Sequence, residues 1–324
     1  MKKYKVIIDT DPGVDDTTCL IYALNDKKLD IKLITTVVGN LPVEKCTRNM
    51  LHILDKFNLD YPVAEGASTA MKRISPTAEY VHGKEGMGGY KPPKKVKHLL
   101  LEEDAVSAMY RVLSEGDGDI IPLVLGPHTN IGLLFEKHPD IIKKIPKIIF
   151  MGGAPYGMKG YPLHISFNIS SYPEAFKIVL DSKIPLVMVP SDMGRNKAHL
   201  TEEMVYKIKE TNDVGKMMFD MFDKYWEHGY PDKRIATNDT CAYMYLIHPK
   251  FFKTLRVNLT VDTDKNPGKI IATPDKKGQV LMTTAINRRK FLKVFFKKLH
   301  EFDKLSFEKK KSPNEKKKLT GGRN

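Results

Sequence analysis

The chain has 324 residues, of which 41% are hydrophobic and 28% charged, so it is long enough to bury one large core. It has no apolar run long enough for a membrane span and no signal-peptide layout, so we expect a cytoplasmic protein without a membrane partner. Its net charge of +14 is concentrated partly in residues 305–324, which carry seven lysines or arginines and two glutamates, and this favours a disordered lysine-rich tail over a nucleic-acid-binding arm.

Short apolar runs alternate with longer helix-periodic stretches in residues 1–304, which is typical of a mainly parallel sheet flanked by helices. Predicted strands cover Tyr4–Ile8, Ile31–Val38, Ile120–Leu125, Lys147–Phe150 and Leu186–Val189. Predicted helices cover Thr17–Leu24 and about Val43–Phe57. We therefore predict a single α/β domain over residues 1–304. Its three scattered cysteines, Cys19, Cys46 and Cys241, are predicted to be buried free thiols.

Polar clusters follow several predicted strands directly. They are Gly39-Asn40, the segment 126–130, Met151-Gly152-Gly153 and Pro190-Ser191-Asp192. In open α/β sheets, ligands bind at the carboxyl ends of the strands, so these clusters indicate one shared site.

The densest cluster follows the first strand and contains four aspartates in eight residues: Asp9, Asp11, Asp15 and Asp16. Pro12 and Gly13 force a turn between them. Carboxylates at this density repel one another unless a hard cation neutralises them, and Ca²⁺ prefers oxygen ligands. Helix capping would account for one or two of the aspartates but not for four. An Asp-x-Asp turn can also hold Mg²⁺ in a phosphatase, but the Pro-Gly turn and the paired aspartates fit that alternative poorly.

The order of these motifs resembles the nucleoside hydrolase family. The first cluster matches its Asp-x-Asp-Pro-Gly-x-Asp-Asp signature. The later matching segments are Val37–Asn40, Val81–Gly83, Leu125–Asn130, Met151–Gly153, Ser166–Asn168 with Pro173–Ala175, and Asn238–Ala242. The resemblance is collinear from Tyr4 to about Pro249, and it implies a hydrolase that releases a base from a ribonucleoside.

The resemblance also implies roles for individual residues. The Ca²⁺ ligands would be Asp11, Asp16, the Thr129 carbonyl and Asp239, and Asp11 would act as general base on a metal-bound water. Further expected substrate contacts are Asp15, Asn40, Met151, Ser166 and Asn168. A homo-oligomer, either a dimer or a tetramer, is implied in the same way, with a small-molecule nucleoside as the ligand and no nucleic-acid polymer.

Two positions depart from the family pattern at the expected 5′ end of the sugar. Ser166 stands where glutamate is usual, and Gly160 stands where asparagine is common. Because Lys159 and His164 lie nearby in sequence, one alternative is a 5′-phosphorylated or otherwise 5′-substituted ligand. The other is an ordinary nucleoside whose 5′-hydroxyl contacts Ser166 or His164.

Asn238 is a third departure, because many members carry at this position a histidine proposed to help the base leave. An asparagine amide has no proton to shuttle at neutral pH. His82, in a glycine-rich loop, is therefore a candidate catalytic residue, and Trp226 is a candidate base-stacking residue. The three departures together leave open a second class of protein, which binds ribose-like ligands with Ca²⁺ and does not turn them over.

Overall fold

The computed structural model describes residues 3–71, 77–155, 166–229 and 233–303. The predicted tail, and the positions Lys159, Gly160 and His164, lie outside these ranges, so the predictions that concern them stay predictions.

Nine strands in the described part of the chain form one sheet. They are β1 (Tyr4–Thr10), β2 (Leu29–Thr36), β3 (Val63–Glu65), β4 (Ile121–Val124), β5 (Ile148–Met151), β6 (Leu186–Val189), β7 (Phe252–Val261), β8 (Ile270–Pro274) and β9 (Val280–Ile286). Their spatial order is β3-β2-β1-β4-β5-β6-β9-β7-β8. All neighbours from β3 to β9 are parallel, and β7 runs antiparallel to both β9 and β8. The predicted α/β fold with a mainly parallel sheet is confirmed.

Helices connect and cover the strands. They are α1 (Val14–Ala23), α2 (Val43–Phe57), α3 (Glu79–His82), α4 (Ala105–Glu115), α5 (Thr129–Lys137), α6 (Phe167–Ser170), α7 (Pro173–Asp181), α8 (Glu202–Thr211), α9 (Asp213–Gly229), α10 (Asn238–Ile247) and α11 (Arg288–Glu301). A π-helical turn, Met193–Lys197, follows β6. Among the described residues, no helix combines the length and the apolar character needed to cross a membrane.

Helices cover both faces of the sheet, which explains why the central strands are apolar throughout. In β1, Val6 and Ile8 pack on one face with side chains of α1, α2, α9, α10 and α11. Ile7 packs on the other face with side chains of α4, α5 and α7. The three cysteines are buried and unpaired, as predicted.

The first helix begins earlier than the sequence pattern indicated. We predicted Thr17 as its first residue, whereas α1 begins at Val14 with Gly13 as its N-cap. The Asp16 carboxylate accepts a hydrogen bond from the Gly13 amide at 3.3 Å, so this acidic side chain caps the helix as well as facing the site. Asp15 and Asp16 consequently lie in the first helical turn, where negative charge is favourable.

The position of β1 explains where a ligand can bind. It lies between β2 and β4, so the connections that follow these strands leave the sheet edge in opposite directions and open a crevice at the carboxyl ends. The aspartate-rich turn between β1 and α1 lies at this switch point.

Candidate active site

A cavity of about 340 Å³ opens at the carboxyl edge of the sheet. Seven of the predicted site residues line it: Asp15, Asp16, Asn40, His82, Met151, Ser166 and Asn168. Asp11, Thr129 and Asp239 are buried next to it, at 1%, 0% and 0% exposure. The sheet edge therefore gathers residues that are more than 200 positions apart in the chain.

Three carboxylates form the centre of the site. Asp15, Asp16 and Asp239 each place an oxygen within 4.8 Å of the others. We predicted Asp15 as a sugar contact, and the structure puts it in the same acidic cluster as Asp16 and Asp239. Ligand oxygens on one Ca²⁺ lie about 2.3–2.6 Å from the ion, so oxygens spaced in this way could share a cation.

Some of these oxygens are unpaired although they are buried. Neither carboxylate oxygen of Asp239, nor Oδ1 of Asp11, has a hydrogen-bond partner among the described residues. Burial raises the pKa of both carboxyls well above the usual range, and the neighbouring carboxylates raise it further. An all-oxygen set of unpaired, mutually repelling carboxylates fits a hard cation such as Ca²⁺.

Asn40 fixes the orientation of two aspartates. Its backbone amide donates to Oδ2 of Asp11 at 2.8 Å, and its side-chain amide donates to the Asp11 carbonyl at 3.0 Å and to Oδ2 of Asp16 at 2.8 Å. Thr10 Oγ1 also donates to Oδ1 of Asp16, at 2.7 Å. Gly39 permits this approach, because a Cβ there would lie 2.0 Å from Oδ2 of Asp11. The carboxylates are therefore held by donors before any ligand binds.

Asp9, the first aspartate of the motif, has a separate structural role. Its Oδ1 accepts hydrogen bonds from Thr35 Oγ1 at 2.6 Å and from the Asn130 amide at 2.8 Å. Burial raises the pKa of Asp9 to about 7, although both hydrogen bonds act to lower it. The same Asn130 amide donates to the Thr36 carbonyl at 2.9 Å, and thereby ties the end of β2 to the start of α5, where Thr129 lies.

The segment after β5 provides the opposite wall. Asn168 donates its side-chain amide to the Leu125 carbonyl at 2.5 Å, which links α6 to the end of β4. Ser166 Oγ accepts the Gly153 amide at 2.5 Å. Its own hydroxyl proton can still be donated towards the cavity.

His82 closes one side of the cavity from α3. Its Nδ1 accepts the Val14 amide at 3.1 Å, so the neutral ring carries its proton on Nε2. Burial lowers the pKa of His82 to about 4, although the nearby Asp16 charge acts in the opposite direction. The ring packs against Tyr225 of α9 at 5.5 Å between centroids. At neutral pH, His82 can therefore donate a hydrogen bond through Nε2.

The predicted stacking residue, Trp226, does not line this cavity. Its ring contacts Tyr206 and Phe219, which places it in an aromatic cluster between α8 and α9. Its neighbour Tyr225 lines the cavity instead.

Two polar features of the site were not predicted from the sequence. Arg195, in the π-helical turn, lines the cavity, and the Asn238 amide donates to Oδ2 of Asp15 at 3.2 Å. Burial raises the pKa of Asp15, while hydrogen bonds, including that from Asn238, and the Arg195 charge oppose the rise. The strand-end cluster Pro190-Ser191-Asp192 was a usable signal for Arg195, since the arginine follows it by three residues.

Comparisons with known proteins agree on one family. The model for inosine-uridine preferring nucleoside hydrolases matches residues 6–293. The non-specific ribonucleoside hydrolase RihC of Salmonella typhi is 36% identical over 260 residues, which cover 80% of this chain and 83% of that protein. A purine-preferring ribonucleoside hydrolase from Gardnerella vaginalis superposes with a TM-score of 0.85 at 27% identity, covering 93% of this chain and all of the other. A plant nucleoside hydrolase, PpNRh1, gives 0.82 at 25% identity, with 92% and 99% covered.

Proposed function

Because this chain belongs to the nucleoside hydrolase family, it is an N-glycosyl hydrolase, and we propose that it cleaves ribonucleosides in a Ca²⁺-dependent reaction with Asp11 as general base. The observation that carries the proposal is the buried cluster of Asp15, Asp16 and Asp239, with both Asp239 oxygens unpaired. A cluster of this kind is costly to bury without a cation.

Asp11, Asp16, Asp239 and the Thr129 carbonyl would hold the ion, and the position of Asp15 beside Asp16 and Asp239 supports its proposed contact with a ribose hydroxyl. The ion, when bound, would anchor the ribose hydroxyls and make a nearby water more acidic.

Asp11 suits the role of base because of how it is held. Asn40 fixes one of its carboxylate oxygens, and the other has no partner among the described residues. That second oxygen can accept the proton of the attacking water. Cleavage of the C1′–N bond builds positive charge on the sugar ring, and the carboxylates around it stabilise this charge more in the transition state than in the ground state.

The remaining cavity residues would hold the substrate. Asp15, Asn40 and Asn168 would hydrogen-bond the ribose, with Asp15 and Asn168 at its 2′- and 3′-hydroxyls. Met151 and Tyr225 would contact the base or the ribose ring, and Ser166 would lie at the 5′ end. His82 would donate from Nε2. We also propose a cytoplasmic location and a dimeric or tetrameric assembly. Sedimentation analysis would test the assembly by measuring its mass.

The test is reducing-sugar release from a panel of ribonucleosides and their 5′-monophosphates, with and without a Ca²⁺ chelator, with Ca²⁺ or Mg²⁺ added back. Asp11→Asn keeps the shape of the side chain but removes the base, so release should fall about 100- to 10,000-fold. Asp117→Asn is the matched control, because the Asp117 side chain is 85% exposed.

Each alternative predicts a different result. Chelator-insensitive release would refute the metal dependence, and preference for the 5′-monophosphates would indicate a 5′-substituted substrate. Ca²⁺ binding by calorimetry with no release from any compound would favour a binding protein. Phosphate release without base release would indicate a phosphatase.

A further inference from the structure

Arg195 is the one permanently charged cation among the described residues that line the cavity. The rest of that lining consists of carboxylates, amides, hydroxyls, a histidine and apolar side chains. The positive charge of Arg195 lies within electrostatic reach of the Asp15 carboxylate.

The fold places Arg195 beside the start of α10. The preceding residue, Gly194, packs so closely on this helix that a Cβ on it would lie 2.4 Å from the backbone nitrogen of Asn238. Asn196 donates to Asp192 at 2.6 Å, and Lys197 pairs with Asp192 at 2.5 Å. Arg195 lines the cavity, as do Asn238 and Asp15.

The departing base needs a hydrogen-bond donor or a positive charge near the nitrogen that leaves C1′. When the bond between C1′ and the base nitrogen breaks, its electron pair goes to the base. Asn238 cannot transfer a proton, and its amide already donates to Asp15. His82 uses Nδ1 to accept the Val14 amide, which leaves it a single N–H. A guanidinium offers several N–H donors and a permanent charge, and both stabilise an anionic leaving group.

We propose, building on the proposed function, that Arg195 is a catalytic residue that binds the departing base as an anion. The water oxygen forms a bond to C1′ and gives its proton to Asp11, while the C1′–N bond breaks and its electron pair moves to the base. The base leaves hydrogen-bonded to Arg195 and takes a proton from solvent afterwards. Arg195 itself gains and loses no proton.

The proposal is tested by comparing two leaving groups in one active site. Inosine and uridine release poor leaving groups that need stabilisation, whereas p-nitrophenyl β-D-ribofuranoside releases a phenolate that is stable without help. Arg195→Met should lower kcat on the nucleosides about 100-fold, the loss typical of one transition-state donor, and change kcat on the phenyl riboside less than about threefold. Arg195→Lys should recover part of the loss, because it keeps the charge but not the fork of donors.

Lys197→Met is the matched control, since it removes a cation from the same turn, and it should leave the ratio of the two activities unchanged. Thermal melting of each variant establishes that it is folded. Equal losses on both substrates would overturn the proposal in favour of a structural or sugar-binding role. A loss confined to nucleoside 5′-monophosphates would overturn it by placing Arg195 at the 5′ end. If the wild type cleaved neither substrate, the proposed function itself would fail, which is a distinct result.

Discussion

The side-chain amide of Asn238 donates to the Asp15 carboxylate at 3.2 Å, although the two residues are 223 positions apart. This contact joins the first turn of α1 to the first residue of α10, and it leaves Asp15 oriented towards the cavity. Removing this hydrogen bond should impair ribose binding more than it lowers the free energy of unfolding.

We expect Asn238→Leu to lower kcat/KM for ribonucleosides about tenfold or more, because a hydrogen bond to a charged group contributes about 1.5–3 kcal/mol. The measurement is steady-state kinetics on a cleaved nucleoside. Asn238→Asp provides a contrasting variant: it should be worse, because it adds a carboxylate beside Asp15. Unchanged kinetics in both variants would remove Asn238 from the site.

Tyr225 and Trp226 should respond differently to truncation. Tyr225→Ala opens the cavity wall beside His82, so KM should rise severalfold. Trp226→Ala removes packing against Tyr206 and Phe219 and should lower the free energy of unfolding by about 3 kcal/mol with little change in KM. Kinetics and denaturant titration on both variants check this, and a larger KM effect for Trp226 would restore the original stacking prediction.

Gly88 should be essential for the position of the His82 loop. It has a φ of +55°, and a Cβ there would lie 1.8 Å from the Met221 carbonyl oxygen of α9. Gly88→Ala should therefore push the loop away from α9 and reduce activity. Gly118→Ala is the matched control, because Gly118 also has a positive φ of +75° but its nearest neighbour is 3.8 Å away. Equal effects of the two substitutions on activity would contradict the packing argument.

Asp239→Asn should have opposite effects on stability with and without Ca²⁺. In the presence of a chelator the variant should melt at a higher temperature than the wild type, because a buried carboxyl that is unpaired and repelled by its acidic neighbours is replaced by a neutral amide. With Ca²⁺ added, the wild type should gain stability by mass action, about 2.7 kcal/mol at a hundredfold excess over Kd, and the variant should gain much less. Thermal melts over a Ca²⁺ series provide the measurement, and equal Ca²⁺ gains would exclude Asp239 as a ligand.

Asp26 should make stability depend on pH. Burial alone would raise the pKa of this carboxyl, but hydrogen bonds from Tyr243 at 2.5 Å and Lys298 at 2.9 Å outweigh that effect and lower it. Since the folded pKa is below the unfolded one, the stabilisation is present above about pH 4 and is lost as the pH falls through the folded pKa.

Asp26→Asn should therefore lower the free energy of unfolding by about 1–3 kcal/mol at pH 7, and the difference from wild type should shrink as the pH approaches the folded pKa. Denaturant titrations at several pH values check this. A difference that stayed constant with pH would show that the ionised carboxylate is not the stabilising form.

The sequence predicts the acidic turn and the strand-end clusters because parallel strands must deliver their carboxyl ends to the same edge. It could not separate Trp226 from Tyr225. Adjacent helical residues point about 100° apart, and both are aromatic residues of α9, so only the packing decides which one faces the cavity. Arg195 was missed for a related reason: a π-helical turn changes which residues face inward, and its hydrogen-bond pattern leaves no periodicity in five residues.

The placement of Asp239 at the start of α10 has a consequence for biosynthesis. The other acidic residues of the cluster leave the ribosome within the first 16 residues, so the nascent chain carries an incomplete and weakly binding set until α10 has been made and has docked. A cation bound there would therefore join the first turn of the domain to a helix made more than 200 residues later, while β7, β8, β9 and α11 are still to follow.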